Sequence, residues 1–250
     1  MIELKNISKT FNKNTVNENQ LFNSFYLTLT PGEFTLMIGS NGSGKTTVLN
    51  LLAGSIFPDA GEITVGNTNV TQLKDHQRSK WIARIFQDPL AGTSSELTIL
   101  ENFRLAAIRS QSKKISIGTT KQFREVVKEQ INFLGLGLEN KTDQLMGTLS
   151  GGQRQALTLL MATMDEMRLL ILDEPVAALD PKTSDVIMKL ADDIIRRKKL
   201  TAIMVTHSMK NVKDYGDRLL MLKSGKIDRD LSGMAKKNVS LNELYDWFGN

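Results

Sequence analysis

Several residues of this chain have the types and spacing needed to act on phosphate. Gly39-Ser40-Asn41-Gly42-Ser43-Gly44-Lys45-Thr46 fits G-x-x-x-x-G-K-[ST]. Glycines let such a loop curl with its N–H groups turned inward on phosphate oxygens. A helix running on from Gly44 aims the positive end of its dipole at the same charge. Lys45 then reaches the β- and γ-phosphates, and the Thr46 hydroxyl can ligate Mg²⁺. Asp173 and Glu174 directly follow the apolar run Leu169-Leu170-Ile171-Leu172, and His207 follows another apolar run at 200–206. Ligand sites of open parallel sheets lie beyond the carboxyl ends of strands, so the three segments point to one crevice. There Asp173 can hold Mg²⁺ through water, while Glu174 can orient an attacking water or take its proton.

A further segment, Leu149-Ser150-Gly151-Gly152-Gln153, offers a second place for phosphate. Ser150 is a good N-cap for a helix over residues 151–164, and the two glycines leave first-turn amides accessible at an electropositive helix end.

These groups need elements to carry them. Strands are expected at Ile2-Glu3-Leu4, Phe25-Tyr26-Leu27-Thr28-Leu29, residues 33–38 and Glu62-Ile63-Thr64-Val65, with a turn at Pro31-Gly32. From Leu97 to about residue 160 the period becomes helical. Thr98 and Glu101 form a capping box before Phe103 and Ala107, and Phe123, Val126, Val127, Ile131 and Leu134 mark one helix face. Strand and helix then alternate: a strand at 169–172, a helix over 181–198, and strands at 200–206 and 219–222, the last ended by Ser224-Gly225. Ser240 and Glu243 form a second capping box, for a final helix over 241–248. The pattern is a strand-and-helix core interrupted by a helical lobe. Met161, Met164 and Met167 recur every third residue and read as core filler.

Composition excludes several chemistries. The 250 residues include no cysteine, so disulfides, thiolate metal sites and a thiol nucleophile are ruled out. Two histidines, His76 and His207, are too few for a multi-histidine metal site. No apolar run approaches the ~18 residues of a membrane span, and the start has no signal-peptide pattern. A cytosolic protein is expected. The net charge of +5 has its densest run at Arg196-Arg197-Lys198-Lys199. Without interleaved aromatics, these cations read as the last turn of a helix, complementing its dipole, and not as a nucleic-acid patch.

The ordered set of phosphate loop, Leu149–Gln153 segment and 169–174 strand resembles the nucleotide-binding subunit of an ATP-binding cassette (ABC) transporter over residues 2–227. The resemblance implies an α/β fold: a P-loop NTPase (RecA-like) core with an antiparallel β-subdomain and an inserted α-helical subdomain. Residues 1–87 and 161–228 would form the core, 88–160 the helical lobe and 229–250 a C-terminal tail of a single domain. It implies hydrolysis of ATP with Mg²⁺, with Glu174, His207 and Lys45 as catalytic residues. Phe11 would stack on adenine, residues Gly39 to Thr47 would hold the phosphates, and Gln87 would contact Mg²⁺ and sense the membrane partner. Thr46, Gln87 and Asp173 would be the Mg²⁺ set. Leu149, Ser150, Gly151, Gly152 and Gln153 would serve the ATP of a partner subunit, and Asp180 would lie in the loop that crosses the dimer interface. The implied partners are a second copy or a paralogous ATPase subunit, integral membrane permease subunits and an extracytoplasmic solute-binding protein, with no nucleic acid. The implied location is peripheral, on the cytoplasmic face of the membrane.

Within the family, Ala156 and Met161 stand where many importer subunits carry arginine. Residues 151–164, 177–182 and 205–209 are similar to a group of tryptophan/tyrosine uptake ATPases, in which Glu-His often replaces the Glu174-Pro175 found here. The function expected is therefore uptake of a small solute such as an aromatic amino acid. The alternatives are a cytosolic ATPase of an iron–sulfur assembly scaffold, or the energiser of an exporter or lipoprotein-release complex. A nucleic-acid-dependent ATPase is a further possibility, although such chains usually carry long coiled coils or two cassettes.

Overall fold

The computed structural model describes residues 1–88, 90–108 and 118–249. Residues 89 and 109–117 of the expected lobe, and residue 250 of the expected tail, lie outside that description. Strands β1 (Ile2–Phe11) and β2 (Asn19–Leu29) pair as a hairpin; β3 (Phe34–Gly39) leads into α1 (Lys45–Ala53), followed by β4 (Ala60–Val65) and β5 (Thr68–Asn69). Next come α2 (Asp75–Arg78), β6 (Ile82–Ile85), α3 (Ile99–Ala107) and α4 (Lys121–Asn132), and a 3-10 turn at Met146–Thr148 enters α5 (Gly151–Ala162). Strand β7 (Leu169–Asp173), α6 (Pro181–Lys198), β8 (Ala202–Val205) and α7 (Met209–Asp214) restore the alternation. The chain finishes through β9 (Arg218–Lys223), β10 (Lys226–Ser232), α8 (Gly233–Asn238) and α9 (Leu241–Gly249).

The strands make two sheets, a four-stranded one ordered β2-β1-β4-β5 and a six-stranded one ordered β10-β9-β3-β8-β7-β6. The smaller is antiparallel, whereas in the larger β9, β3, β8, β7 and β6 run parallel and only β10 is reversed. A parallel sheet buried on both faces needs apolar residues at successive positions, which is why its strands read as continuous apolar runs. Their period of two sorts the side chains between the faces. Leu36, Leu170, Leu172, Met204 and Met221 pack with α3–α7, while Met37, Ile171, Ile203, Val205 and Leu222 pack with α1 and the antiparallel sheet.

Local signals explain most helix boundaries. Thr98 and Glu101 form the expected capping box, as does Ser240 with Glu243, and the expected N-cap Ser150 forms a further box with Gln153. Met161 is buried, and Met164 and Met167 pack against the same core. Several expectations need adjustment. The first strand runs on to Phe11, the second starts at Asn19 instead of Phe25, and the helix expected to reach 164 stops at Ala162. Val126 is exposed, so the buried side of α4 is narrower and rests on Val127 and Ile131. Arg196, Arg197 and Lys198 do occupy the last turn of α6, but they are not simply solvated. Arg196 pairs with Asp192 and Asp217, Arg197 lies 4.4 Å over the Phe133 ring, and Lys198 Nζ donates to the Thr163 carbonyl.

Candidate functional site

Strand β3 delivers the chain to Gly39, and α1 carries it away from Lys45, so the intervening loop sits at the carboxyl edge of the large sheet. Two glycines are sterically required. A Cβ on Gly39 would fall 2.3 Å from the Leu222 carbonyl oxygen. Gly44 has φ of 111° and a Cβ there would fall 2.8 Å from the Phe22 ring. The β9–β10 turn braces the loop from outside through Gly225 N–H, which donates to the Ser43 carbonyl at 3.0 Å.

Lys45 is 6% exposed, and its Nζ donates to the carbonyls of Gly39 at 2.7 Å and Ser40 at 3.0 Å. Burial pushes the ammonium below its ordinary pKa, and the charges of Glu174 and Asp173 partly oppose that shift. Asn41, Gly42, Gly44, Lys45, Thr46 and Thr47 line a cavity of about 310 Å³. Glu174 and His207 close it on one side, Asn19 and Leu21 of β2 on another. The loop, Glu174 and His207 thus meet at one cavity, whereas Asp173, Gly39, Ser40 and Ser43 are not among its lining residues.

Glu174 Oε1 lies 3.1 Å from His207 Nε2. The parallel register Asp173↔Val205 brings the ends of β7 and β8 level, and Glu174 N–H donates to the Val205 carbonyl at 3.0 Å. Glu174 has φ of 47°, a left-handed conformation that costs a non-glycine residue about 1 kcal/mol and is held here by its neighbours. A second cavity, of about 340 Å³, opens on the other side of the Glu174–His207 pair toward Pro181 and Lys210.

Other expected residues lie around this centre. Phe11 ends β1 opposite Asn19, which puts a half-exposed ring at the rim, with Lys9 Nζ 5.5 Å from its centroid. Gln87 is exposed beyond β6 and does not line the phosphate cavity. Asp173 stands behind the cavity, its Oδ2 engaged by Arg84 Nη2 at 2.6 Å. Thr46 and the remaining Asp173 oxygen form a hard-oxygen donor set. That set suits Mg²⁺, which takes few protein ligands and completes its shell with phosphate and water.

The Leu149–Gln153 segment contributes nothing to the cavity lining. Ser150 caps α5 through Gln153 N–H at 3.3 Å, and Ser150 and Gly151 are exposed. Arg154 ties the preceding turn down by donating to the carbonyls of Met146, Gly147 and Leu149. Gly152 is pressed against α6, where a Cβ would meet Thr183 Cγ2 at 2.2 Å. Asp180 caps α6 by accepting from Thr183 N–H at 3.1 Å, and the Thr183 hydroxyl together with that N–H holds its carboxyl below the usual range. Ser150 and Gly151 are thus exposed at the start of α5, with the Ser150 N–H donating to Gln153 Oε1 at 3.2 Å, and neither lines the phosphate cavity.

Sequence reasoning missed four contributors. Asn19 and Leu21 enter the cavity from a strand whose alternation is weak at that end. Arg84 bridges Asp173 and Asn50. Gln155, fully buried, donates from Nε2 to the Pro175 carbonyl at 2.8 Å and the Phe86 carbonyl at 3.4 Å, joining α5 to the chain on either side of the site. A lone arginine in a strand and a lone glutamine in a helix carry no signal without the fold.

The model of the family described as ABC transporter matches residues 22–177. A tyrosine transport ATP-binding protein of Clostridioides difficile (strain R20291) is 37% identical over 249 residues, which is 99% of this chain and 98% of that one. A thiamine import ATP-binding protein of Chelativorans sp. (strain BNC1) is 34% identical over 206 residues, covering 82% and 79%. The dimeric structure of a post-hydrolysis state of an ATP-binding cassette bound to ADP and Pi matches with a TM-score of 0.77 at 29% identity, covering 93% of this chain and 98% of that one.

Proposed function

The chain belongs to the ABC transporter family of ATP-hydrolysing subunits, and from that premise we propose that it powers an importer of a small solute, an aromatic amino acid such as tyrosine or tryptophan. One observation carries the catalytic part. Lys45, Thr46, Glu174 and His207 line one cavity, while the exposed Ser150–Gly151 turn that opens α5 is no part of that cavity. On this reading the loop amides and Lys45 hold the phosphates, and Glu174 takes a proton from the attacking water. His207, 3.1 Å away, keeps the Glu174 carboxylate aimed and meets the terminal phosphate. Thr46 and Asp173 would hold Mg²⁺, and Gln87, exposed beyond β6, is the third residue expected in that set. When bound, Mg²⁺ supplies charge neutralisation on the β- and γ-oxygens.

The α5 N-terminus is a phosphate surface without a phosphate of its own, which supports a head-to-tail pair in which each chain completes the other's site. The dimeric cassette bound to ADP and Pi supports the same arrangement. Among the described residues no helix is long and apolar enough to cross a membrane. On this reading integral membrane permease subunits recruit the chain to the cytoplasmic face of the membrane. A solute-binding protein outside would deliver the substrate. The aromatic solute rests on the tyrosine transport relative, which matches nearly end to end.

The test is to co-express the chain with the membrane protein encoded beside it, reconstitute both with the cognate binding protein, and follow ATP hydrolysis. Tyrosine or tryptophan should stimulate hydrolysis severalfold. Stimulation by an unrelated solute only would overturn the substrate. Recovery of a soluble complex lacking any polytopic protein would overturn transport.

A further inference from the structure

Arg84 on β6 is placed where an uncommitted surface residue is not expected. Its side chain is 13% exposed and that of Asp173 is 17% exposed. Nη2 donates to Asp173 Oδ2 at 2.6 Å, and Nη1 donates to Asn50 Oδ1 at 2.7 Å. The guanidinium carbon lies 4.9 Å from the Phe86 ring centroid, so the plane of the group is backed as well as tethered. Asn50 sits on α1, the helix that begins at Lys45, and Asp173 ends β7, the neighbour of β6 in the sheet. One fork thus joins three elements of the phosphate site, which a lysine could not do with a single point charge.

This geometry has an electrostatic consequence. A carboxylate that already carries a cation is a poor trap for a second one, because the two like charges repel at close range. A divalent ion competes for the same negative charge and feels the guanidinium more strongly. Among the described residues Asp173 Oδ1 has no partner, so the carboxylate is half engaged and not blocked. We propose that Arg84 is a positioning residue and resident counter-ion for Asp173. It fixes Oδ2, leaves Oδ1 for the metal's water shell, and stops the empty site from holding a divalent cation before nucleotide phosphates add their own charge. The inference rests on the proposed role of Asp173 toward Mg²⁺. It adds that metal entry is made dependent on nucleotide by a residue outside the motifs.

The experiment titrates the intact protein with Mn²⁺ by electron paramagnetic resonance, first without nucleotide and then with ATP. Arg84→Gln and Arg84→Met should both bind Mn²⁺ about tenfold or more tightly than the parent without nucleotide, from the loss of one adjacent positive charge. The Gln variant keeps a polar end and the Met variant an unbranched apolar stem, so either neutral variant suffices if the other folds poorly. Arg84→Lys should stay within about threefold of the parent, because the charge is retained. ATP binding in chelator should be unchanged in all three. Unchanged or weaker Mn²⁺ binding in the neutral variants overturns the proposal, as does Arg84→Lys behaving like them. Asp173→Asn separates the two layers. If it leaves Mn²⁺ affinity in the ATP complex unaltered, the metal role of Asp173 fails and the Arg84 role with it. If it weakens Mn²⁺ while the neutral Arg84 variants do not tighten it, only the Arg84 inference fails.

Discussion

Replacing Glu174 with glutamine is the sharpest perturbation of the proposed chemistry. The amide has the size of the carboxylate and keeps a hydrogen-bonding group toward His207, whose Nε2 is 3.1 Å from Glu174 Oε1. The backbone cost at φ of 47° is common to both residues, so stability should change little. Only the capacity to accept a proton disappears. A positioned general base contributes about 10²–10⁴ in rate, which is roughly 3–5 kcal/mol of barrier. Phosphate release at saturating Mg·ATP should therefore fall by about 10²–10⁴, with the affinity for ATP within about threefold of the parent. Because product formation stops after binding, the ATP-bound pair should accumulate and be visible by sedimentation. Turnover within about tenfold of the parent, with normal ATP binding, would refute the assignment of Glu174 as the proton acceptor.

Other consequences are more local. Arg78 is fully buried, its pKa pushed down to about 10 by burial, and it donates to the carbonyls of Leu51, Leu52, Thr71 and Leu73. Arg78→Met strands those acceptors and should cost about 3 kcal/mol, or roughly 6–12 °C in Tm by calorimetry; a shift under about 2 °C would sink the claim. Gly152→Ala drives a methyl to 2.2 Å from Thr183 Cγ2 and should cost about 1–3 kcal/mol in denaturant melts. Adding Thr183→Ser, which removes Cγ2, should restore most of that loss, and no restoration would locate the strain elsewhere. Lys45 binds phosphate as the ammonium, and its lowered pKa means the charge is lost at a lower pH than for an ordinary lysine. ATP affinity should therefore decline on the alkaline side before the ordinary lysine value of 10.5, and Asp173→Asn should move that decline to lower pH by removing a raising charge. Calorimetric titrations across that range that show no such displacement would contradict the electrostatic coupling.

Much of the site was legible because its chemistry is local in sequence. The phosphate loop, the strand before Asp173, the capping boxes at Thr98 and Ser240 and the N-cap at Ser150 each lie within a run of eight residues or fewer. Sheet order was legible only as a class, since apolar runs at 34–38, 169–172 and 202–205 say that strands are buried on both faces without saying which are neighbours. What failed was non-local. Asn19 and Leu21 reach the cavity only because a hairpin folds β2 back along β1. Arg84 acquires a role only when β6 lies beside β7, 89 positions away in the chain from its partner Asp173. Val126 falls in the apolar pattern of α4 yet is exposed, because the core it faces is narrower than the stripe. Gln87 matches its motif but is exposed and stands outside the cavity, a placement that only the fold reveals.

The central claim is that one chain's phosphate loop works with another chain's Ser150–Gly152 segment. It is tested most directly by mixing two variants that are each inactive. Lys45→Ala loses the loop but keeps the segment, whereas Gly151→Asp keeps the loop and places a carboxylate on the exposed first turn of α5, where phosphate would approach. Asp is well tolerated at a helix N-terminus, so the second variant should fold. Random pairing yields half mixed pairs, each with one complete site of two, so the mixture should recover up to about a quarter of the parental hydrolysis rate if the sites act independently. Undiminished hydrolysis by Gly151→Asp alone, or a mixture as inactive as its components, would contradict the account.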